Sequence, residues 1–164
     1  MPSTRIVWAA AAVLAACGGG AAESAAAPGA STTAAEGPLI GGGLASAGIH
    51  DVPGPMRRIE ADVAGGNALD ADALGLGGDC EGWIMRSPDL IVRTEAGLPR
   101  LVYRLTPARG RPSLLVHSPD DEWHCAEAGP APAVRVEGAP AGQYDVWIGS
   151  AEAAEPTRAT LVVE

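Results

Sequence analysis

The densest group of chemically capable side chains lies at residues 117–124, which read His-Ser-Pro-Asp-Asp-Glu-Trp-His. Imidazole nitrogens and carboxylate oxygens bind divalent ions, so His117, Asp120, Asp121 and His124 are candidate metal ligands. The alternative is a Pro-Asp-Asp turn between two strands, whose charged side chains are solvated. We favour the turn, and the sequence predicts no metal and no other cofactor.

Serine chemistry is the next possibility. Ser113 and Ser118 lie close to His117 in sequence, and a serine beside a histidine is the core of many hydrolase sites. However, the sequence contains no Gly-x-Ser-x-Gly, no His-Glu-x-x-His and no phosphate-binding glycine loop. Serine is also common in loops. The sequence therefore predicts a protein that is not an enzyme.

Three tryptophans, Trp83, Trp123 and Trp147, are candidates for contact with a ligand. On a strand predicted at 143–149, Trp147 shares a face with Asp145, opposite three apolar side chains. If the apolar face is the core, Trp147, Asp145 and Trp123 could form a platform for a sugar or a peptide. Alternatively, the ring packs beneath a loop or a disulfide, because a domain without phenylalanine needs its large rings for the core.

The N-terminus predicts export and lipid attachment. After Arg5, the apolar run at 6–14 is too short to span a bilayer and suits a secretory signal. It ends in Leu-Ala-Ala-Cys at 14–17, which resembles the bacterial lipobox, in which the cysteine thiol receives diacylglycerol. We expect a signal peptide at 1–16 and a lipidated Cys17. The alternative is an ordinary signal peptide with an incidental Cys17.

The expected partner of this lipid is a membrane. Several acyl chains anchor a protein stably, and Gly18 after the cysteine resembles Gram-negative lipoproteins of the outer membrane. Removal of residues 1–16 takes away Arg5 and leaves ten basic residues against twenty acidic ones. A chain this acidic repels phosphate backbones, so we expect no nucleic-acid partner.

The cysteine count predicts one disulfide. The chain has three cysteines, and lipidation of Cys17 leaves Cys80 and Cys125 as a pair. Outside the inner membrane the compartment is oxidising, so a bond between them is expected. Two free thiols or a pair of metal ligands are the alternatives.

Residues 17–47 are rich in alanine and glycine and predict a flexible linker. Residues 48–164 then form one domain, with turn signals every eight to twelve residues. Many short strands of this kind predict an all-β fold, an antiparallel β-sandwich or jelly roll. The segment 67–78 fits either a strand or a single helical turn. About eight strands are expected, at 57–63, 81–85, 89–94, 100–106, 113–117, 133–137, 143–149 and 158–163.

Three motifs in order resemble the bacterial pre-peptidase C-terminal domain, over roughly residues 78–164. They are Cys-Glu-Gly-Trp-Ile at 80–84, Leu-Leu-Val at 114–116 followed by Trp-His-Cys at 123–125, and Gly-Gln-Tyr-Asp-Val-Trp-Ile-Gly at 142–149. The resemblance implies a β-sandwich of the kind found beside secreted proteases and in stand-alone envelope proteins. Family members can carry acidic calcium ligands where this chain has Arg111, Ala126 and Ala128, which predicts loss of that site.

These inferences together predict a membrane-tethered, non-catalytic envelope lipoprotein that acts as a binding or structural module. An envelope protein or a polysaccharide is the expected partner. The alternative function is that of a secreted accessory protein associated with a peptidase or another hydrolase.

Overall fold

The computed structural model describes residues 37–52, 58–66, 68–153 and 155–164. The predicted signal peptide, Cys17 and the first part of the predicted linker lie outside these residues. The described residues form eleven strands and one short helix. These are β1 Ile49–Val52, β2 Ile59–Ala64, β3 Leu69–Asp70, α1 Ala71–Leu74, β4 Trp83–Ile84, β5 Leu90–Thr94, β6 Arg100–Arg109, β7 Pro112–His117, β8 Trp123–Ala126, β9 Ala133–Glu137, β10 Gly142–Ser150 and β11 Arg158–Val163.

The smaller sheet has four strands in the order β2-β11-β6-β9, all antiparallel. Its strands alternate between buried and exposed side chains, as expected for a sheet with one face on the core and one in water. On β6, for example, Leu101, Tyr103 and Leu105 are buried while Arg100 and Arg104 are exposed.

The larger sheet has seven strands, with β10 at its centre. One edge of β10 pairs with β5 and β4, and the other edge pairs with β7. The outer strands β1, β3 and β8 extend the sheet from β5, β4 and β7 respectively. Every side chain of β7 is buried, and so is β10 from Tyr144 onward. This sheet is therefore covered on both faces, which is why its strands lack the alternation of the smaller sheet.

The main core lies between the two sheets and contains Tyr103, Leu114, Tyr144 and Leu161 among many aliphatic side chains. A second, smaller cluster lies on the other face of the seven-stranded sheet. Its buried members are Ala71, Cys80, Ile84, Leu115 and Trp147. Helix α1 and the loop that follows it therefore cover the outer face of this sheet.

The predicted all-β sandwich is confirmed, and each of the eight expected strands is present. Two further strands were missed. β1 lies at the edge of a glycine-rich segment, and β8 begins in the segment that we interpreted as a polar turn. The sheets are antiparallel as expected except at one place, where β1 runs parallel to β5. Residues 67–78 combine both expected forms, since β3 leads directly into the single turn of α1.

The predicted domain start at Gly48 is too late. The docked segment, residues 39–47, binds the loop between β4 and β5 by backbone hydrogen bonds. Leu39 N donates to Arg86 O at 2.7 Å, and Ala47 N donates to Asp89 O at 2.6 Å. Composition failed to predict this contact because the bonds use main-chain N–H groups, which every residue except proline carries.

Within the described ranges, no helix has the length and apolar character needed to cross a membrane.

Candidate functional site

A disulfide joins Cys80 to Cys125, which confirms the predicted pairing. The bond links the loop before β4 to strand β8, and the two Cα atoms lie 5.0 Å apart. Cys80 is almost fully buried, at 4% exposure. The disulfide is therefore part of the second cluster on the outer face of the seven-stranded sheet.

The structure rules out the ligand platform of Trp147, Asp145 and Trp123 and confirms the alternative, in which the Trp147 ring packs against the disulfide. Trp147 and Asp145 do lie on the face of β10 opposite the main core, but both are buried. Trp147 packs in the disulfide cluster, with its ring centroid 5.3 Å from that of Trp123. The second cover on this sheet removes the solvent exposure that a platform needs.

Asp145 instead holds the docked segment in place. Its Oδ2 accepts a hydrogen bond from Gly41 N at 2.6 Å, and its Oδ1 accepts one from Gln143 Nε2 at 2.8 Å. Asp89 has a similar role, because Oδ1 accepts from Ser46 Oγ and Oδ2 accepts from Ile148 N. Burial raises the pKa of Asp89 to about 6, although these hydrogen bonds oppose the shift.

The polar turn between β7 and β8 brings together only part of the predicted metal set. Asp120 and His124 meet Glu122, with possible ligand atoms within 4.8 Å of one another. Glu122 is the third carboxylate of the same polar run. His117 is directed elsewhere, because its Nε2 lies 3.0 Å from Asp121 Oδ1. The four predicted ligands therefore divide into two groups.

Neither candidate serine is arranged as a nucleophile. Ser118 is fully buried, and its hydroxyl donates to Asp120, which holds the pKa of that carboxyl below its ordinary value. His124 Nε2 lies 3.1 Å from the Ser118 hydroxyl oxygen, but that hydroxyl donates its proton to Asp120 and not to the histidine. Ser113 donates to the backbone carbonyl of Glu81 at 2.8 Å. These hydrogen bonds stabilise the turn between β7 and β8 and attach the loop at Glu81 to β7.

A second polar region surrounds Trp83. The Trp83 recess is an open cavity of about 320 Å³ lined by Asp70, Asp72, Glu81, Trp83 and Arg111, with Gly82, Ala128 and Ala151 completing its wall. Asp70 comes from β3, Asp72 from α1, Trp83 from β4, and Arg111 from the turn before β7. Four different parts of the chain thus meet at one place.

Hydrogen bonds fix the walls of the recess. Asp70 Oδ1 accepts from Asp72 N at 3.2 Å and caps helix α1. Glu81 Oε1 accepts from Ala128 N at 2.9 Å, and Arg111 Nη2 donates to Ala128 O at 3.2 Å. Charged side chains therefore bind both the N–H and the C=O group of Ala128. Arg111 and Ala128 are two of the positions at which the family resemblance expected calcium ligands.

Gly82 allows this close packing. Its φ is +97°, and a Cβ atom there would lie 2.6 Å from Ser113 Oγ and 3.0 Å from Ser150 O. Any larger residue would push the Glu81–Trp83 segment away from β7 and β10.

Trp83 is a candidate on sequence grounds, but the carboxylates beside it are not. The signal present in the sequence was the pair Asp70 and Asp72, two residues apart before Gly75. Their link to Glu81 and Arg111 depends on the pairing of β3 with β4 and on the Ala128 contacts. Neither is visible in local sequence.

Comparison with known proteins gives little further information. No family model matches the chain, and no curated protein matches it. Among solved structures, the chain is similar to PliG of Aeromonas hydrophila, a periplasmic lysozyme inhibitor of g-type lysozyme. The two chains share 12% identity over 71% of this chain and 96% of PliG, with a TM-score of 0.34. A similarity this weak supports no conclusion about function.

Proposed function

We propose that this protein is a lipid-tethered, non-catalytic module of the bacterial envelope that binds its partner at the Trp83 recess. The partner is an envelope protein or a polysaccharide. The recess is the observation that carries this proposal. Ligand sites are typically concave and about 300 to 1,000 Å³ in volume. The recess has such a volume, and its wall is mainly polar, with charged groups that hydrogen bonds hold in place.

Non-catalytic function is supported by how the candidate catalytic groups are used. A serine hydrolase needs an exposed hydroxyl whose proton a histidine can accept. Ser113 and Ser118 are both fully buried, and both donate to other acceptors. His117 lies against Asp121. These side chains stabilise the turn between β7 and β8 and the loop at Glu81.

Tethering is supported by the lipobox-like motif that ends at Cys17. About 20 residues separate Cys17 from the docked segment, and a coil of that length spans about 25 Å on average. The outer membrane is the proposed location, and the pre-peptidase C-terminal domain remains the proposed family.

Binding to isolated envelopes tests the proposal. The mature chain would carry Cys17→Ser, so that lipid insertion cannot cause sedimentation, and would be titrated into envelope preparations of the source bacterium. We expect saturable binding that Trp83→Ala weakens about tenfold or more, as for a central binding residue.

Glu137→Gln provides the matched control, because Glu137 is exposed on β9 of the other sheet. It should bind as the unsubstituted chain does. Equal binding by the Trp83→Ala chain, with its melting temperature preserved, would overturn the assignment of the site.

A further inference from the structure

We infer that the Trp83 recess recognises a cationic side chain, an arginine or a lysine displayed by a protein partner. This inference rests on the proposed function and specifies the chemistry of its ligand. It follows from the charges that line the recess, from the groups those charges already bind, and from the ring beside them.

Carboxylates outnumber cations in the recess. Its charged side chains are those of Asp70, Asp72 and Glu81 against the single guanidinium of Arg111. Arg111 already donates to the carbonyl oxygen of Ala128. The recess is therefore a negatively charged concavity, and the whole chain adds to this with a formal charge of −9. Such a surface attracts cations and speeds their association.

The carboxylates keep acceptor capacity for a ligand. In the hydrogen bonds among the described residues, Asp70 uses only Oδ1 and Glu81 uses only Oε1. The opposite oxygen of each carboxylate remains available. A guanidinium or an ammonium group supplies several donors at once, which matches a site that offers several acceptors.

Trp83 adds a second reason for a cation. Its ring is half-buried in the wall of the same cavity. The face of an indole ring attracts a cation through its quadrupole, an interaction worth about 0.5 to 1 kcal/mol at exposed sites. A neutral ligand would gain neither this attraction nor an ion pair with the carboxylates.

The size of the recess favours one side chain over a larger molecule. Its volume of about 320 Å³ is at the lower end for ligand sites. It is open on one side, so the remainder of a protein partner can stay outside while a single residue enters. A free polyamine would offer the same charged groups, and the experiment separates the two sources.

The test titrates the Cys17→Ser chain with a blocked Gly-Arg-Gly peptide, observed through the indole Nε1–H resonance of Trp83. That resonance is identified by its loss in Trp83→Phe. We expect saturable shifts of the Trp83 signal. Replacing arginine with citrulline, which has nearly the same shape and no charge, should weaken binding about tenfold, as expected from loss of an ion pair and a cation–π contact.

Variants that each remove one negative charge from the recess form the second part of the test. Glu81→Gln keeps an oxygen that accepts from Ala128 N, and Asp72→Asn changes an exposed side chain. Each should raise the Kd for the arginine peptide about threefold. Glu137→Gln, on the other sheet, should leave the Kd unchanged.

The possible failures are distinguishable. Equal binding of the arginine and citrulline peptides, or no binding of the arginine peptide, would overturn the inference. Saturation of the Trp83 signal by spermine but not by the peptide would overturn the assignment to a protein side chain. In each case, envelope binding that still depends on Trp83 leaves the proposed function standing. If envelope binding did not depend on Trp83, both the proposed function and this inference would be overturned.

Discussion

Removal of the disulfide gives the sharpest prediction about stability. Cys80 and Cys125 are 45 residues apart. Closing a loop of that length lowers the entropy of the unfolded chain enough to stabilise the folded state by about 4 kcal/mol. The double variant Cys80→Ala, Cys125→Ala should lose most of this amount. A further cost is expected because Cys80 is buried against Trp147 and Ile84.

The loss should be large enough to measure by thermal unfolding. For a domain of this size, each kcal/mol corresponds to roughly 3 to 4 °C, so the melting temperature should fall by roughly 12 to 16 °C. Circular dichroism would follow the sheets, and tryptophan fluorescence would follow the cluster around Trp147. The Cys17→Ser background removes the third thiol from the comparison.

Reduction of the unsubstituted disulfide with dithiothreitol is the matched control and should lower the melting temperature by a similar amount. A double variant that melts within about 2 °C of the parent chain would refute the reasoning. It would show that the bond neither limits the unfolded chain nor supports the cluster beneath it.

Three other predictions concern single features. Because burial raises the pKa of Asp89 from 3.8 to about 6, its contribution to stability is present below about pH 4 and is lost as the pH rises through 6. The free energy of unfolding, measured in urea relative to Asp89→Asn, should therefore fall by about 2 kcal/mol between pH 4 and pH 7, and parallel profiles would contradict this. Cys17→Ser should leave unprocessed or soluble precursor, and a free, unmodified N-terminus in the mass spectrum of the natural protein would disprove lipidation. Millimolar calcium should not raise the melting temperature, because Asp120 and Glu122 fall well short of six to eight oxygen ligands; a rise that a chelator reverses would show that they suffice.

Local pattern predicted the smaller sheet well. Strands β9 and β11 alternate because one side faces the core and the other faces water, and β6 departs from this pattern at Val102, which is also buried. On β10, alternation identifies two faces but not what covers the second one, so it left open whether Trp147 is exposed in a ligand platform or packed against the disulfide. That cover comes from α1 and the disulfide loop, which contain too few apolar residues to be recognised as a layer. Sheet assignment was therefore predictable, and the exposure of β10 was not.

The candidate site could be predicted only in part. Trp83 was a visible candidate, since large rings are scarce in this chain. Glu81 joined it only because Ala128 N binds its carboxylate across 47 positions of sequence. Arg111 was interpreted only as the replacement of an acidic calcium ligand. Its hydrogen bond to Ala128 makes it part of the wall of the Trp83 recess. Long-range backbone contacts, which leave no local pattern, decide what lines the recess.

Photo-crosslinking in living cells tests the central claim, binding at the Trp83 recess, most directly. A benzophenone amino acid would replace Ala73, which is exposed on α1 next to the recess and leaves all three carboxylates intact. The control position is Ala133, which is exposed on β9 of the opposite sheet. We predict a discrete adduct from position 73 that Trp83→Ala abolishes, and none from position 133. Adducts of equal strength from both positions, or an adduct from 73 that survives Trp83→Ala, would contradict the account.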